Sequence, residues 1–209
     1  MTGTHDTLDA GLRAGASPDA LQRILLTTDG TVVQLLESWF DDPIELAGHE
    51  QFITPVQLTD EDLQPAGHET ILRRRVLLRG RRTGRNYVYA DTAVVLDRLS
   101  APVRESLLSS AEPIGRVLRR HRVETFREIL RTGRRPVGAL AGDFGCDSAD
   151  QLLFRVYRVV SGGLPIMLIA EHFPAGPLPS AEDTDPQMVV DLRDDVEDTL
   201  PKRPCGSRG

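Results

Sequence analysis

Glu171 and Arg74 are the two charged side chains that the sequence pattern turns inward, and together they offer acid–base chemistry on an anionic ligand. The run from Gln151 to Phe173 reads QLLFRVYRVVSGGLPIMLIAEHF, two β-rich halves around Ser161-Gly162-Gly163-Leu164. A Gly-Gly pair takes the positive φ angles of a two-residue hairpin turn. Alternation along a strand then puts Pro165, Met167, Ile169, Glu171 and Phe173 on one face. With the two glycines as the loop, Ser161 faces Leu164, Phe154 stands opposite Glu171 and Val156 opposite Ile169. A carboxylate walled by Ile169, Phe173 and Phe154 is costly to keep charged without a partner. Such a group suits a catalytic acid or base. A structural ion pair, or a strand end that has reached water, fits the same pattern.

Residues 69 to 79 read as a strong strand with a telling alternation. Ile71, Arg73, Arg75, Leu77 and Arg79 share one face; Leu72, Arg74, Val76 and Leu78 share the other. Arg74 is the charged member of the apolar face. Arginine stays ionised, so its burial demands an anion, either a protein carboxylate or a ligand. Arg73, Arg75, Arg79, Arg81, Arg82 and Arg85 read as a solvated face and turn, without the interleaved aromatics of a nucleic-acid surface.

The elements that must hold these two groups follow from local signals. A helix begins near Ser17-Pro18-Asp19, with Ser17 as cap and Leu21, Ile24 and Leu25 inward. Asp29-Gly30 breaks it. Thr31 caps a second helix through Phe40, with Val32, Leu35, Leu36 and Trp39 inward. This corner lacks basic residues on its second helix, which excludes a DNA-reading role. Ile44 to Val56 is loosely β, and residues 59 to 69 read as a loop that covers something. A strand over Tyr87 to Leu96 runs antiparallel to the one before it. Ser100 opens a short helix through Leu108 and Pro113-Ile114-Gly115-Arg116 another. Val123 to Leu130 fits helix or strand, and residues 131 to 150 read as loop-rich. Antiparallel strands with helices at both ends and no regular βαβ alternation predict an α+β fold.

At 209 residues and 40% hydrophobic, the chain suits one domain with a substantial core. It has no apolar run long enough to span a bilayer and no signal-peptide pattern, so no membrane partner and a cytoplasmic location are expected. The net charge of −6 is uneven. Glu182, Asp183, Asp185, Asp191, Asp194, Asp195, Glu197 and Asp198 stand against a single Arg193, which leaves the body close to neutral. That balance argues against bulk attraction to nucleic acid. Three segments are expected: a flexible arm at 1–16, a domain at 17–178 and an acidic, disordered tail at 179–209. Lys202 is the only lysine, which excludes Schiff-base chemistry and a lysine-bearing P-loop from the body. Cys146 and Cys205 have no paired spacing for a disulfide framework or a thiolate metal site.

Several stretches, in order, resemble the chorismate pyruvate-lyase family, in its actinobacterial and archaeal branch: LQRILLTTDGTVVQLLE (21–37), LRRRVLLRG (72–80), DRL (97–99), PIGRVL (113–118), VETF (123–126) and YRVVSGGLPIMLIAEHF (157–173). The resemblance implies a single chorismate lyase-like domain, an antiparallel sheet with helices forming flaps over an enclosed site. It implies the conversion of chorismate to 4-hydroxybenzoate and pyruvate with neither metal nor cofactor. It places the substrate-holding arginine at Arg74 and the essential glutamate at Glu171, and adds backbone amide contacts at Ile114 and at the turn of Gly30 and Thr31. Thr31 stands where other members carry an apolar side chain. Arg158, opposite Met167 by hairpin register, is a candidate second carboxylate anchor or a rim ion pair.

Two other functions share these features. One is a lyase acting on a related chorismate-derived compound in secondary metabolism. The other is a non-catalytic module that holds a small acid, as in the effector-sensing half of bacterial transcription regulators; only 16 residues precede Ser17, too few for a separate DNA-binding domain. The expected partner is the small-molecule substrate alone. The sequence leaves the oligomeric state open and favours a monomer.

Overall fold

A computed structural model describes residues 17–55 and 58–176. The expected arm at 1–16 and the acidic tail from 179 lie outside the described residues. The chain forms α1 (Ala20–Thr27), α2 (Val32–Phe40), β1 (Ile44–Thr54), a 3-10 segment (Leu58–Leu63), β2 (Ile71–Gly80), β3 (Asn86–Val95), α3 (Ala101–Ser109), α4 (Ile114–Arg120), β4 (Phe126–Pro136), α5 (Ala141–Phe144), β5 (Gln151–Ser161) and β6 (Leu164–Pro174). All six strands join one antiparallel sheet in the order β1-β2-β3-β6-β5-β4. Two three-stranded meanders therefore meet where β3 pairs with β6. The fold is α+β, as expected.

Helices α1 to α4 gather on one sheet face because that is where the apolar alternation points. Leu21, Leu25 and Leu26 of α1 and Val32, Val33, Leu36 and Phe40 of α2 pack on Leu78, Tyr87, Val88, Leu153 and Phe173. Val103, Leu107, Val117 and Leu118 of α3 and α4 pack on Leu72, Val94, Tyr157, Val159, Met167 and Ile169. Arg74 and Glu171 lie on this same face, between the two clusters in sequence position along their strands. The opposite face carries a smaller cluster, Leu63 with Ile71, Ala93 and Val95.

Local chemistry sets the helix ends. Asp19, not Ser17, caps α1: its carboxylate accepts from the Gln22 amide at 2.8 Å, and the Gln22 side chain accepts from the Asp19 amide at 3.0 Å. This reciprocal pair satisfies two amides that have no partner within the helix. The Gln22 side-chain nitrogen also donates to the carbonyls of Pro174, Ala175 and Gly176, which ties α1 to the end of β6. Thr31 precedes α2 without a side-chain cap.

The structure corrects further expectations. Ile24 and Trp39 face water, 41% and 45% exposed, because each helix buries the stripe set by its tilt on the sheet, which for α2 includes Val33 and Phe40. β4 runs through Pro136, well into the stretch read as loop. It is an edge strand whose arginines, Arg127, Arg131, Arg134 and Arg135, hide any apolar alternation, as suits an edge exposed to other chains. The Gly162-Gly163 turn is as expected, with φ of 57° and 81°, and Ser161 pairs with Leu164. Beyond it the register slips by one. Val160 pairs with Pro165 but Val159 with Met167, so Ile166 is an extra residue, a β-bulge. Arg155 therefore stands opposite Glu171, and Phe154 opposite His172.

Candidate active site

The bulge decides what Glu171 meets. Leu153, Arg155, Tyr157 and Val159 share the helix-covered face with Phe173, Glu171, Ile169 and Met167 across the ladder. Glu171 is 7% exposed and Arg155 is 0%. The Arg155 Nε donates to Glu171 Oε2 at 2.7 Å, and the Tyr157 hydroxyl donates to Glu171 Oε1 at 3.0 Å. The guanidinium carbon of Arg155 also lies 4.9 Å from the centre of the Tyr157 ring, within cation–π range. Both carboxylate oxygens are thus held by donors.

Burial alone would lower the Arg155 pKa, but the charge of Glu171 and the contact with Tyr157 outweigh it and raise the pKa above its ordinary value. Burial is also the main cause that raises the Tyr157 pKa, aided by Glu171 and opposed by Arg155 and Arg127. Tyr157 is therefore a neutral donor at any physiological pH. A second Arg155 nitrogen, Nη1, donates to the Thr28 carbonyl at 2.7 Å, which fixes the turn between α1 and α2.

Arg74 is 1% exposed and has no carboxylate partner among the described residues. Its Nη2 donates to the Glu112 carbonyl at 2.5 Å, while Nε and Nη1 are buried without a hydrogen-bond partner. Burial lowers its pKa and Glu112 partly restores it; an arginine remains protonated all the same. An ionised guanidinium with two unmet donors, held out of water, is costly without an anion beside it.

Both groups line one cavity of about 70 Å³. Its wall includes Gly30, Thr31, Arg74, Ile114 and Glu171, so five of the six residues singled out in the sequence converge. Arg158 does not. It lies on the opposite sheet face, paired with Glu128 at 2.6 Å and opposite Leu168 rather than Met167, because the bulge reverses the face that the even hairpin count assigned to it.

The starts of α2 and α4 close the cavity from the helix side. Their first amides have no partner within the helix, and neither Thr31 nor Pro113 supplies a side-chain cap. The two turns touch: a Cβ on Gly115 would stand 2.7 Å from Thr31 Cγ2, so glycine is what lets them approach. Two arginines of the site escaped the sequence reading, one that holds Glu171 from behind the wall and one that lines the cavity. Arg155 was hidden by the bulge, although its parity with Tyr157 and Val159 was a signal for it. Arg127 lies in β4 opposite Val159, in a strand that the pattern did not declare. It lines the same cavity and donates to the Asp29 carbonyl at 2.8 Å.

A cavity that joins an under-bonded guanidinium, a buried carboxylate and two helix starts can clamp a small carboxylate and present a hydrogen-bond acceptor to its body. Comparisons with known proteins place the chain in a family. The model of the family described as Chorismate pyruvate-lyase Rv2949c-like matches residues 25–178. The chain is 33% identical over 158 residues to the chorismate pyruvate-lyase of Mycobacterium tuberculosis strain H37Rv, covering 72% of this chain and 78% of that one. It is 28% identical over 152 residues to the chorismate pyruvate-lyase of Mycobacterium leprae, covering 72% of each. Among solved structures, PhnF from Mycobacterium smegmatis matches with a TM-score of 0.55 at 10% identity, over 72% of this chain and 66% of that one. A GntR-family transcriptional regulator from Bacillus cereus matches at 0.50 and 11% identity, over 65% and 93%. At those identities the structural likeness concerns the fold. The sequence matches go further, and the chain belongs to the Chorismate pyruvate-lyase Rv2949c-like family.

Proposed function

We propose that the protein is a carbon–oxygen lyase that eliminates pyruvate from chorismate to give 4-hydroxybenzoate. The observation that carries this reading is the joint burial of Arg74, with two unmet donors, and Glu171 beside one cavity. Chorismate carries a ring carboxylate and an enolpyruvyl ether at C3, with a hydroxyl and a hydrogen on C4. Breaking the C3–O bond and removing the C4 hydrogen makes the ring aromatic, so the driving force resides in the substrate. The protein's task is to hold a reactive conformer and to ease charge at the breaking bond.

Arg74 holds the ring carboxylate through one of the two nitrogens that lack partners, Nε or Nη1, in a charge-assisted guanidinium–carboxylate contact. The amides at Thr31 and Ile114 support the same group. Glu171 faces the C4 side. A carboxyl that receives donors from Arg155 and Tyr157 is held as an acceptor, which favours its taking the C4 proton, or orienting the C4 hydroxyl, over its acting as an acid. In the alternative concerted route the C4 hydrogen moves to the enolpyruvyl methylene, and deuterium placed at C4 then appears in the pyruvate methyl. If Glu171 takes the proton, that label washes out to water.

The cavity of about 70 Å³ holds a few waters and not a ten-carbon dianion. The turns at residues 28–31 and 110–115 must therefore part to admit substrate and release product. The test is direct: the purified protein incubated with chorismate releases equal amounts of 4-hydroxybenzoate and pyruvate. If neither product forms, the lyase reading is wrong, and binding of a small acid without chemistry takes its place.

A further inference from the structure

We infer that Arg127 forms a second carboxylate subsite at the mouth of this cavity and makes the site selective for dianions; this rests on the reading of Arg74 as the first anchor. Three observations lead there. The first is placement. Arg127 stands opposite Val159 in the β4–β5 ladder, so its side chain rises from the helix-covered face beside Tyr157 and lines the cavity with Arg74 and Glu171.

The second is its bonding. Unlike Arg131 and Arg158 in the same sheet region, which pair with Asp62 and Glu128, Arg127 has no carboxylate partner among the described residues. Its one hydrogen bond goes to a neutral acceptor, the Asp29 carbonyl at 2.8 Å. A half-buried guanidinium spends one of its five donors there. The others remain for a ligand.

The third is charge. Arg74, Arg127 and Arg155 surround Glu171, and Arg155 is already matched to it. Tyr157 is neutral. Two cations are left over: Arg74, out of water, where uncompensated charge is costly, and Arg127, half-buried at the rim. A ligand with two carboxylates neutralises both, whereas a ligand with one leaves Arg127 unmatched. Arg74 sits deep and Arg127 at the rim, so the ring carboxylate goes inward and the ether-linked one outward. The arrangement also gives a reason for product to leave. Once the ether breaks, the remaining ring carries a single carboxylate and no longer engages Arg127.

Two non-reactive probes separate this from a purely structural role: 3-(carboxymethoxy)benzoate, which bears a ring carboxylate and a second one on a C3 ether, and 3-methoxybenzoate, which lacks the second. Titration calorimetry on the full chain is expected to show the dianion bound about tenfold or more tighter, the value of a charged hydrogen bond. Arg127→Gln is expected to erase that preference and leave the monoanion within about twofold of wild type, and Arg127→Lys to retain part of it. Arg74→Gln weakens both probes. Equal loss of both probes in Arg127→Gln would mean that the residue only tethers the turn at Asp29, and the proposal fails. It fails as well if the preference survives the substitution, or if the wild type shows none. Failure of the lyase reading is read elsewhere, as the absence of pyruvate from chorismate, and leaves the probe comparison able to decide on Arg127 by itself.

Discussion

Arg155 and Glu171 face each other across the β5–β6 ladder, both out of water, with Nε 2.7 Å from Oε2. The pair does two things at once. It gives a buried carboxylate a cationic donor, and through Arg155 Nη1 it grips the Thr28 carbonyl, next to the turn that brings Gly30 and Thr31 to the cavity. The chemistry and the cover over it thus share one side chain.

Glu171→Gln keeps the shape of the group and removes its charge. Turnover of chorismate is expected to fall about 100-fold to 10,000-fold, the range for a lost acid–base group, while KM changes little. Arg155 is left as a buried cation without its counter-ion, so the melting temperature drops by several degrees. Steady-state kinetics and a thermal melt check both. Wild-type turnover in this variant removes Glu171 from the reaction.

Arg74→Met is expected to stabilise the free protein and to abolish binding. In the empty site Arg74 has no carboxylate partner and two unmet donors, and replacing such a buried ion by an apolar side chain of similar volume is often neutral or favourable by about 1–4 kcal/mol. Denaturant unfolding together with a binding titration measures the trade. A loss of stability would mean that the Glu112 carbonyl alone satisfies the guanidinium.

Gly115→Ala puts a methyl 2.7 Å from Thr31 Cγ2, so the starts of α2 and α4 must separate. Weaker binding of 4-hydroxybenzoate, by about tenfold, is the expected result of spoiling their convergence. Removing the opposing methyl in Gly115→Ala/Thr31→Ser should recover most of it. If the double variant is no better than the single one, the clash is not the cause.

His172 lies on the far side of β6 from the site, between Tyr89 and Phe154, with Nε2 3.3 Å from Arg135 Nη1. Burial first, then Arg135, depresses its pKa below the ordinary 6.5; the Tyr89 carbonyl, Asp91 and Glu171 oppose the shift. Below that pH the unfolded chain takes up a proton that the folded one refuses, so stability present above pH 6.5 is lost as pH falls toward the folded-state pKa. Urea midpoints at pH 7.5 and pH 5.5 are expected to differ less in His172→Phe than in wild type. Equal differences would show that other groups set the slope.

How much of this was legible in the sequence depends on which signal each residue relied on. Arg74 was found because a cation interrupts the apolar series Leu72, Val76, Leu78, and strand parity is robust within one unbroken strand. Glu171 was found the same way. Parity carried from one strand to its neighbour failed, because an even hairpin count has no means of sensing the extra Ile166; that single residue moved the candidate partner from Phe154 to Arg155 and sent Arg158 to the other face. Arg127 was invisible for another reason. Edge strand β4 is studded with arginines and has little apolar alternation, so the ladder that aims Arg127 inward exists only once β5 is in place. Trp39 and Ile24 were misassigned because helical spacing names a stripe about as wide as the residues it must choose between.

The extra residue near the tip of the β5–β6 hairpin has a bearing on charge as well as on geometry. Deleting Ile166 would preserve the outline and most of the backbone bonding, yet would swap a cation for hydrocarbon across from the carboxylate. One inserted amino acid near the hairpin tip thus decides whether the buried carboxylate is matched by a charge or by a hydrocarbon ring.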